Sequence, residues 1–248
     1  MLSTPICDLL DVTHPVVLGG MALGTGPDLV AAVSNAGGLG IQGCAGQSPD
    51  DIWELAAAIR SRTDRPFGLN LLLFLANDEQ IDAAIEARPP VLSTAWAHPD
   101  QDLTTLADRA HDEGTKVIHM VSTVPEAERA VEAGADAIVA QGTEGGGHVG
   151  LMSTLVLVPL VCRAVAPVPV LAAGGLADGA GLAAALMLGA AGGLFGTRFL
   201  ATHEAPVAEA YKQVIVGSDG HHTVLTELVD AANAIVWPGA YARIERNR

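Results

Sequence analysis

Eight short apolar runs punctuate this sequence, at about 16–18, 39–42, 67–71, 91–94, 116–120, 137–140, 168–172 and 193–195. Each is followed by a small or polar turn and then an Ala-rich stretch, the signature of successive βα units. Helices are expected at roughly 27–36, 50–62, 78–87, 101–113, 124–133, 153–164, 179–189 and 204–216. Several carry a start signal: Ser48 before Pro49 and Asp50, and Thr123 or Ser122 before Pro125 and Glu126. The segments "EAGADAIVA" and "MLGAAGGLFG" end a helix on small residues and turn back into a strand. An open doubly wound sheet shares this local alternation. Eight units within 248 residues favour closure into a single compact (β/α)8 TIM barrel, one α/β domain over 1–248 with reduced C-terminal additions. The first run is not followed by GxGxxG, which removes the usual reason to prefer an open dinucleotide-binding sheet.

Composition then excludes partners. The chain holds 13 basic against 28 acidic side chains, a net charge of -15, and has no basic run, so nucleic acid and anionic membrane are not expected partners. Cys7, Cys44 and Cys162 lie far apart and form neither a disulfide framework nor a metal-ligand cluster, which fits a reducing cytoplasm. Asp8 and Asp11 stand where a secretory leader would be basic and then apolar. The apolar stretch 155–173 is broken by Pro159, Arg163, Pro167 and Pro169, so it reads as a buried helix plus a buried strand. Apolar patches on the outer helices of a barrel leave room for a homodimer.

In such a barrel the site lies at the C-terminal ends of the strands. The first turn, Gly19, Gly20, Met21, Ala22, Leu23 and Gly24, has little bulk and one thioether, suited to backbone lying against a flat ring. Gly38 and Gly40 read either as part of that site or as close helix-to-strand packing. Asn70 sits inside a run so apolar that its carboxamide needs partners, and a bound ligand is one source. The sixth run ends in Gln141, Gly142, Thr143, Glu144, Gly145, Gly146, Gly147, His148, Val149 and Gly150, the densest functional signal in the chain. Its five glycines are costly to order without compensating contacts, and His148 can move a proton near neutral pH. The competing reading is a flexible lid whose histidine faces water. His221 and His222 lie in a polar stretch beyond the eighth run, His119 sits within the fifth, and no set of metal ligands accompanies any of them. Gly174 and Gly175 after the seventh run, with Gly196 and Thr197 after the eighth, occupy the loops where barrels hold phosphate on backbone N–H groups. Arg198 adds charge there or pairs with an acidic neighbour in the wall.

The segment 15–21, the run Asn35, Ala36, Gly37, Gly38, Leu39, Gly40, "TDRPFGLNL", "GADAIVAQGTEGGGHVG", "AAGGLADG" and "GTRFLATHEA" together resemble the nitronate monooxygenase family, formerly called 2-nitropropane dioxygenase. The resemblance runs over nearly the whole chain, and FMN-dependent enoyl-acyl-carrier-protein reductases share much of the pattern. It implies an FMN cofactor across the barrel mouth, with Gly20, Met21, Asn70, Gln141 and Gly146 among its contacts and its phosphate at Gly174, Gly175, Gly196 and Thr197. It implies His148 as the active-site histidine, and no metal. The reaction it implies is oxidation of an alkyl nitronate, or of a nitroalkane whose α proton His148 removes, by molecular oxygen to a carbonyl compound and nitrite. The alternative is an FMN-dependent NAD(P)H reductase acting on an enoyl thioester or quinone; a non-catalytic flavin or phosphate-binding barrel is a third class.

The chain departs from the family pattern in places. Gly145 stands where Ala is usual, and the first turn lacks the stiffening Pro of Ala-Pro-Met. Trp96 replaces a smaller residue, there to close the substrate pocket or pack beneath it. Relatives commonly exceed 300 residues, so the length predicts missing cover over the site or a missing dimer element.

Overall fold

The computed structural model describes residues 2–246. Eight parallel strands form one sheet: β1 (Val16–Leu18), β2 (Gly40–Gly43), β3 (Phe67–Leu72), β4 (Val91–Ala95), β5 (Lys116–Val121), β6 (Ala137–Gln141), β8 (Val170–Ala173) and β9 (Gly192–Phe195). The strand between β6 and β8, β7 (Gly147–Val149), belongs to a second sheet. Around the main sheet the order is β1-β9-β8-β6-β5-β4-β3-β2. A bridge between Val17 and Leu39 joins the two ends, with Leu18 N–H donating to Leu39 O at 2.8 Å and Leu39 N–H to Val16 O at 3.0 Å. The sheet is therefore the expected barrel, with its outer helices in the expected places.

Alternation along each strand divides the core in two. Val17, Leu39, Ile41, Val91, Ile118, Val139 and Leu171 point inward and pack together. Leu69, Leu71, Leu92 and Val117 point outward, beneath helices such as Pro49–Arg60 and Leu103–Asp112. An N-terminal helix absent from the sequence reading, Pro5–Leu10, places Ile6 and Leu10 in the inward cluster. It stoppers one end of the barrel, and each of these side chains adds about 1.5–3 kcal/mol of burial. Gly38 and Gly40 are packing glycines: a Cβ on Gly38 would lie 2.7 Å from Val16 O, and one on Gly40 would strike the Val30 backbone.

Ser48 and Thr123 cap their helices as expected, each in a reciprocal capping box, with Asp51 and Glu126 respectively. Ser122 joins the second box, its N–H donating to Glu126 Oε2 at 2.7 Å. The stretch 155–173 resolves into the helix Thr154–Ala164 and β8. β8 starts at Val170, later than 168, because Pro167 and Pro169 offer no N–H and Val168 N–H is spent on a turn to Val165 O. The last expected helix also starts late, at Glu209–Gly217, since Pro206 disfavours helical backbone at Ala205.

The larger correction is at the C-terminal end. After the short helix Thr197–Leu200 the chain adds β10 (Thr223–Thr226), the helix Leu228–Ala232 and β11 (Tyr241–Glu245). β11 pairs antiparallel with both β10 and β7, placing Ala242 opposite His148. The C-terminal additions are thus a second, three-stranded sheet laid at the barrel mouth. No helix among the described residues is long and apolar enough to cross a membrane, and the three cysteines are free thiols.

Candidate active site

The turns that follow the barrel strands converge. The β1 turn lies flat over the ends of β2 and β3: a Cβ on Gly20 would sit 2.5 Å from Asn70 Cβ, and one on Gly43 would sit 2.6 Å from the Met21 backbone. Thr25 fixes this turn, its Oγ1 donating to Met21 O at 2.8 Å and accepting from Gly43 N–H at 2.8 Å. The Met21 thioether reaches the β9 turn, where a Cβ on Gly196 would be 3.6 Å from Met21 Sδ. Asn70 is buried, and its Nδ2 donates to Ser93 Oγ at 3.1 Å and Ser93 O at 3.3 Å. The protein therefore supplies the partners for that amide nitrogen, and the amide oxygen is the part left for a ligand.

The turns after β6, β8 and β9 meet on the other side of the mouth. A Cβ on Gly146 would be 2.6 Å from Thr197 Oγ1; one on Gly174 would be 2.7 Å from Gly142 O; one on Gly175 would be 3.2 Å from Glu144 Cβ. Gly174 and Gly175 both have positive φ, +97° and +73°, which only glycine adopts readily. Backbone N–H groups of Gly175, Gly196 and Thr197 find no acceptor among the described residues, a donor set suited to an anion. Gln141 Oε1 is buried at the end of β6 without a partner. A buried amide oxygen left unpaired costs roughly 1–3 kcal/mol, so a ligand N–H there would be strongly favoured. The nine positions singled out for a cofactor, from Gly20 to Thr197, thus ring one mouth. Arg198 is exposed and makes no ion pair among the described residues.

His148 does not sit on a flexible lid. It lies on β7, its side chain about one-fifth exposed, and its Nε2 is 2.8 Å from Asp230 Oδ1. Its ring stacks on Trp237, centroids 3.5 Å apart and 9° from parallel. Trp237 also meets Phe74 at 4.7 Å and the edge of Trp96 at 6.0 Å. Trp96, at φ 57°, packs with Ala95, Leu72, Met120 and Trp237, so it helps wall the mouth. The indole Nε1 of Trp237 is buried without an acceptor. Glu144 is engaged elsewhere: its Oε2 accepts from Thr154 N–H at 2.8 Å and Thr154 Oγ1 at 2.7 Å, capping a helix whose own N-cap residue, Ser153, makes no such bond.

Asp230 and Trp237 were not among the sequence candidates. A periodicity reading reports neighbours along one element, and Asp230 lies 82 residues from His148. His119 is a core residue, its Nδ1 2.7 Å from Thr94 Oγ1, and burial, with Arg129 as a lesser cause, pushes its pKa down to about 4. Burial likewise pushes the Cys44 thiol up to about 12, against a backbone hydrogen bond from Asn70. His221 and His222 are exposed, and no group of three or more His, Cys, Asp or Glu among the described residues is arranged for a metal.

The family model for nitronate monooxygenase matches residues 3–237. Over 234 residues the chain is 42% identical to a (3aS,4S,5R,7aS)-5-hydroxy-7a-methyl-1-oxo-octahydro-1H-indene-4-carboxyl-CoA dehydrogenase of Mycobacterium tuberculosis, covering 92% of this chain and 64% of that protein. A probable nitronate monooxygenase of Staphylococcus saprophyticus is 32% identical, over 92% of this chain and 76% of its own length. Among solved structures, FabK from Thermotoga maritima superposes with a TM-score of 0.90 at 40% identity, covering 100% of this chain and 76% of that one. A nitroalkane oxidase from Streptomyces ansochromogenes gives 0.84 at 29% identity, covering 98% and 79%. The chain spans less than two thirds of the length of the carboxyl-CoA dehydrogenases it matches.

Proposed function

The chain belongs to the nitronate monooxygenase family, and from that membership we propose that it is an FMN-dependent oxidoreductase acting on an acyl thioester, with a nicotinamide cofactor as the second redox partner. This places the reductase reading ahead of nitronate oxidation. The observation that carries it is the order of likeness: 42% and 40% identity to carboxyl-CoA dehydrogenases, against 32% and 30% to nitronate monooxygenases.

The residues fit FMN. The unpaired Gln141 Oε1 and the Asn70 amide would meet a ring edge that carries both donors and acceptors, beside Gly20 and Met21. Gly146, Gly174, Gly175, Gly196 and Thr197 would hold the phosphate through close backbone approach and free N–H groups. When bound, FMN supplies the two-electron chemistry. The chain's own residues do the rest. Phe74, Trp96 and Trp237 seat an apolar acyl group and exclude water. The unpaired Trp237 N–H donates to the thioester carbonyl, and His148 takes or returns the proton that accompanies the redox step.

Anaerobic flavin absorbance, followed during separate additions of NADH or NADPH, an acyl-CoA and an alkyl nitronate, tests this. The expected result is bleaching by the nicotinamide and colour return on adding an enoyl-CoA. Bleaching by the nitronate alone, with no response to the other two, would reverse the assignment in favour of nitronate oxidation. In the same assay His148→Ala is expected to retain FMN and lose roughly 100-fold or more in turnover.

A further inference from the structure

The pair His148–Asp230 contains more information than its distance. A carboxylate has lone pairs and no hydrogen, so the 2.8 Å contact with Asp230 Oδ1 requires the hydrogen to sit on His148 Nε2. In the neutral ring the other nitrogen, Nδ1, is then a bare acceptor. Nδ1 makes no hydrogen bond to the described residues, and it is not among the side-chain atoms sealed from solvent without a partner. Asp230 is itself buried and comes from the helix Leu228–Ala232, while the histidine backbone is registered by β11 and its ring is clamped flat by Trp237. The other charged groups on the surrounding elements are committed elsewhere. Glu144 caps Thr154, and Arg243 on β11 donates from Nε to Thr143 O at 2.9 Å and from a terminal nitrogen to Thr223 Oγ1 at 3.2 Å.

We propose that Asp230 is the positioning residue of the site: it fixes the Nε2–H tautomer of His148 and so makes Nδ1 the nitrogen that exchanges a proton with the substrate. When Nδ1 takes a proton the ring becomes imidazolium, Nε2–H stays on its carboxylate, and the charge lies against the Trp237 face; the same Nδ1 proton is later returned. This rests on the role given above to His148, though the tautomer itself is independent of which substrate is used.

The test is nitrogen NMR of the full-length protein labelled with ¹⁵N-histidine, without substrate, the His148 signals being those lost in His148→Gln. The wild-type protein is expected to show the Nε2–H pattern. In Asp230→Asn, whose amide can donate to Nε2, the population moves toward Nδ1–H. Turnover falls roughly 10- to 100-fold with KM changed less than about threefold, and Asp230→Glu recovers part of the loss. An Nδ1–H pattern in the wild type overturns the proposal, as does an Asp230→Asn protein that keeps both the Nε2–H pattern and full turnover. Should Asp230→Asn fail to fold, the wild-type spectrum alone decides. A wild type with no thioester turnover but an Nε2–H histidine would count against the substrate assignment and leave the tautomer standing.

Discussion

An indole N–H without an acceptor is an expense that a folded chain seldom carries by accident, and Trp237 carries one beside His148. Trp237→Phe keeps an aromatic face for the histidine and removes the unpaired donor. Removing the donor offsets the packing that the smaller ring gives up, so the unliganded protein is expected to change by no more than about 1 kcal/mol in denaturant unfolding. KM for a thioester substrate is expected to rise about five- to tenfold, as for one lost hydrogen bond. A clear loss of stability with unchanged KM would show that the indole serves packing alone. At this scale the sequence was readable where chemistry is crowded into one loop. Five glycines around Gln141, Glu144 and His148 announce themselves, and so do the paired glycines after β8. Asp230 and Trp237 do not, because each sits in an unremarkable local context and acquires its meaning only from a distant strand.

Elements were legible to the extent that their causes are local. The capping boxes at Ser48 and Thr123 start their helices within a residue or two of the expected places, because the bonds that fix them span three positions. Barrel strands were legible because their apolar runs are bounded by small turns. β7, β10 and β11 were not: Gly147, His148 and Val149 alternate nothing, and the strand exists only because β11 returns to pair with it. Close packing between elements offers a direct check. Gly40 opens β2 against the backbone of the helix Pro27–Asn35, at Val30. Gly40→Ala should force that helix outward and cost about 1–3 kcal/mol in chemical denaturation. The neighbouring exposed Gly46, in open space at φ +77°, would lose only the smaller cost of a left-handed alanine, roughly 1 kcal/mol. Equal losses at the two positions would contradict the packing role of Gly40.

Across the whole molecule the sharpest coupling between fold and solution is through His119, buried between β5 and the outer helices with Thr94 on its Nδ1. Its folded pKa is about 4 against an ordinary 6.5, because burial disfavours the charged ring. The unfolded chain therefore binds a proton that the folded one refuses. The stability conferred is fully present above pH 6.5 and drains away as the pH falls toward 4, by up to about 3 kcal/mol. His119→Gln is expected to flatten the fall in melting temperature between pH 7 and pH 4.5, measured by circular dichroism; an unchanged slope would assign the acid sensitivity to other groups. The second sheet, finally, sets an order of events during synthesis. All eight barrel strands precede Thr197, whereas the carboxylate partner of His148, the indole on its face and the strand that sets its register all follow Glu227. A ribosome therefore delivers all eight barrel strands before it delivers the groups that hold the histidine. A copy broken off between Leu200 and Leu228 would keep all eight barrel strands and lack every group that clamps His148.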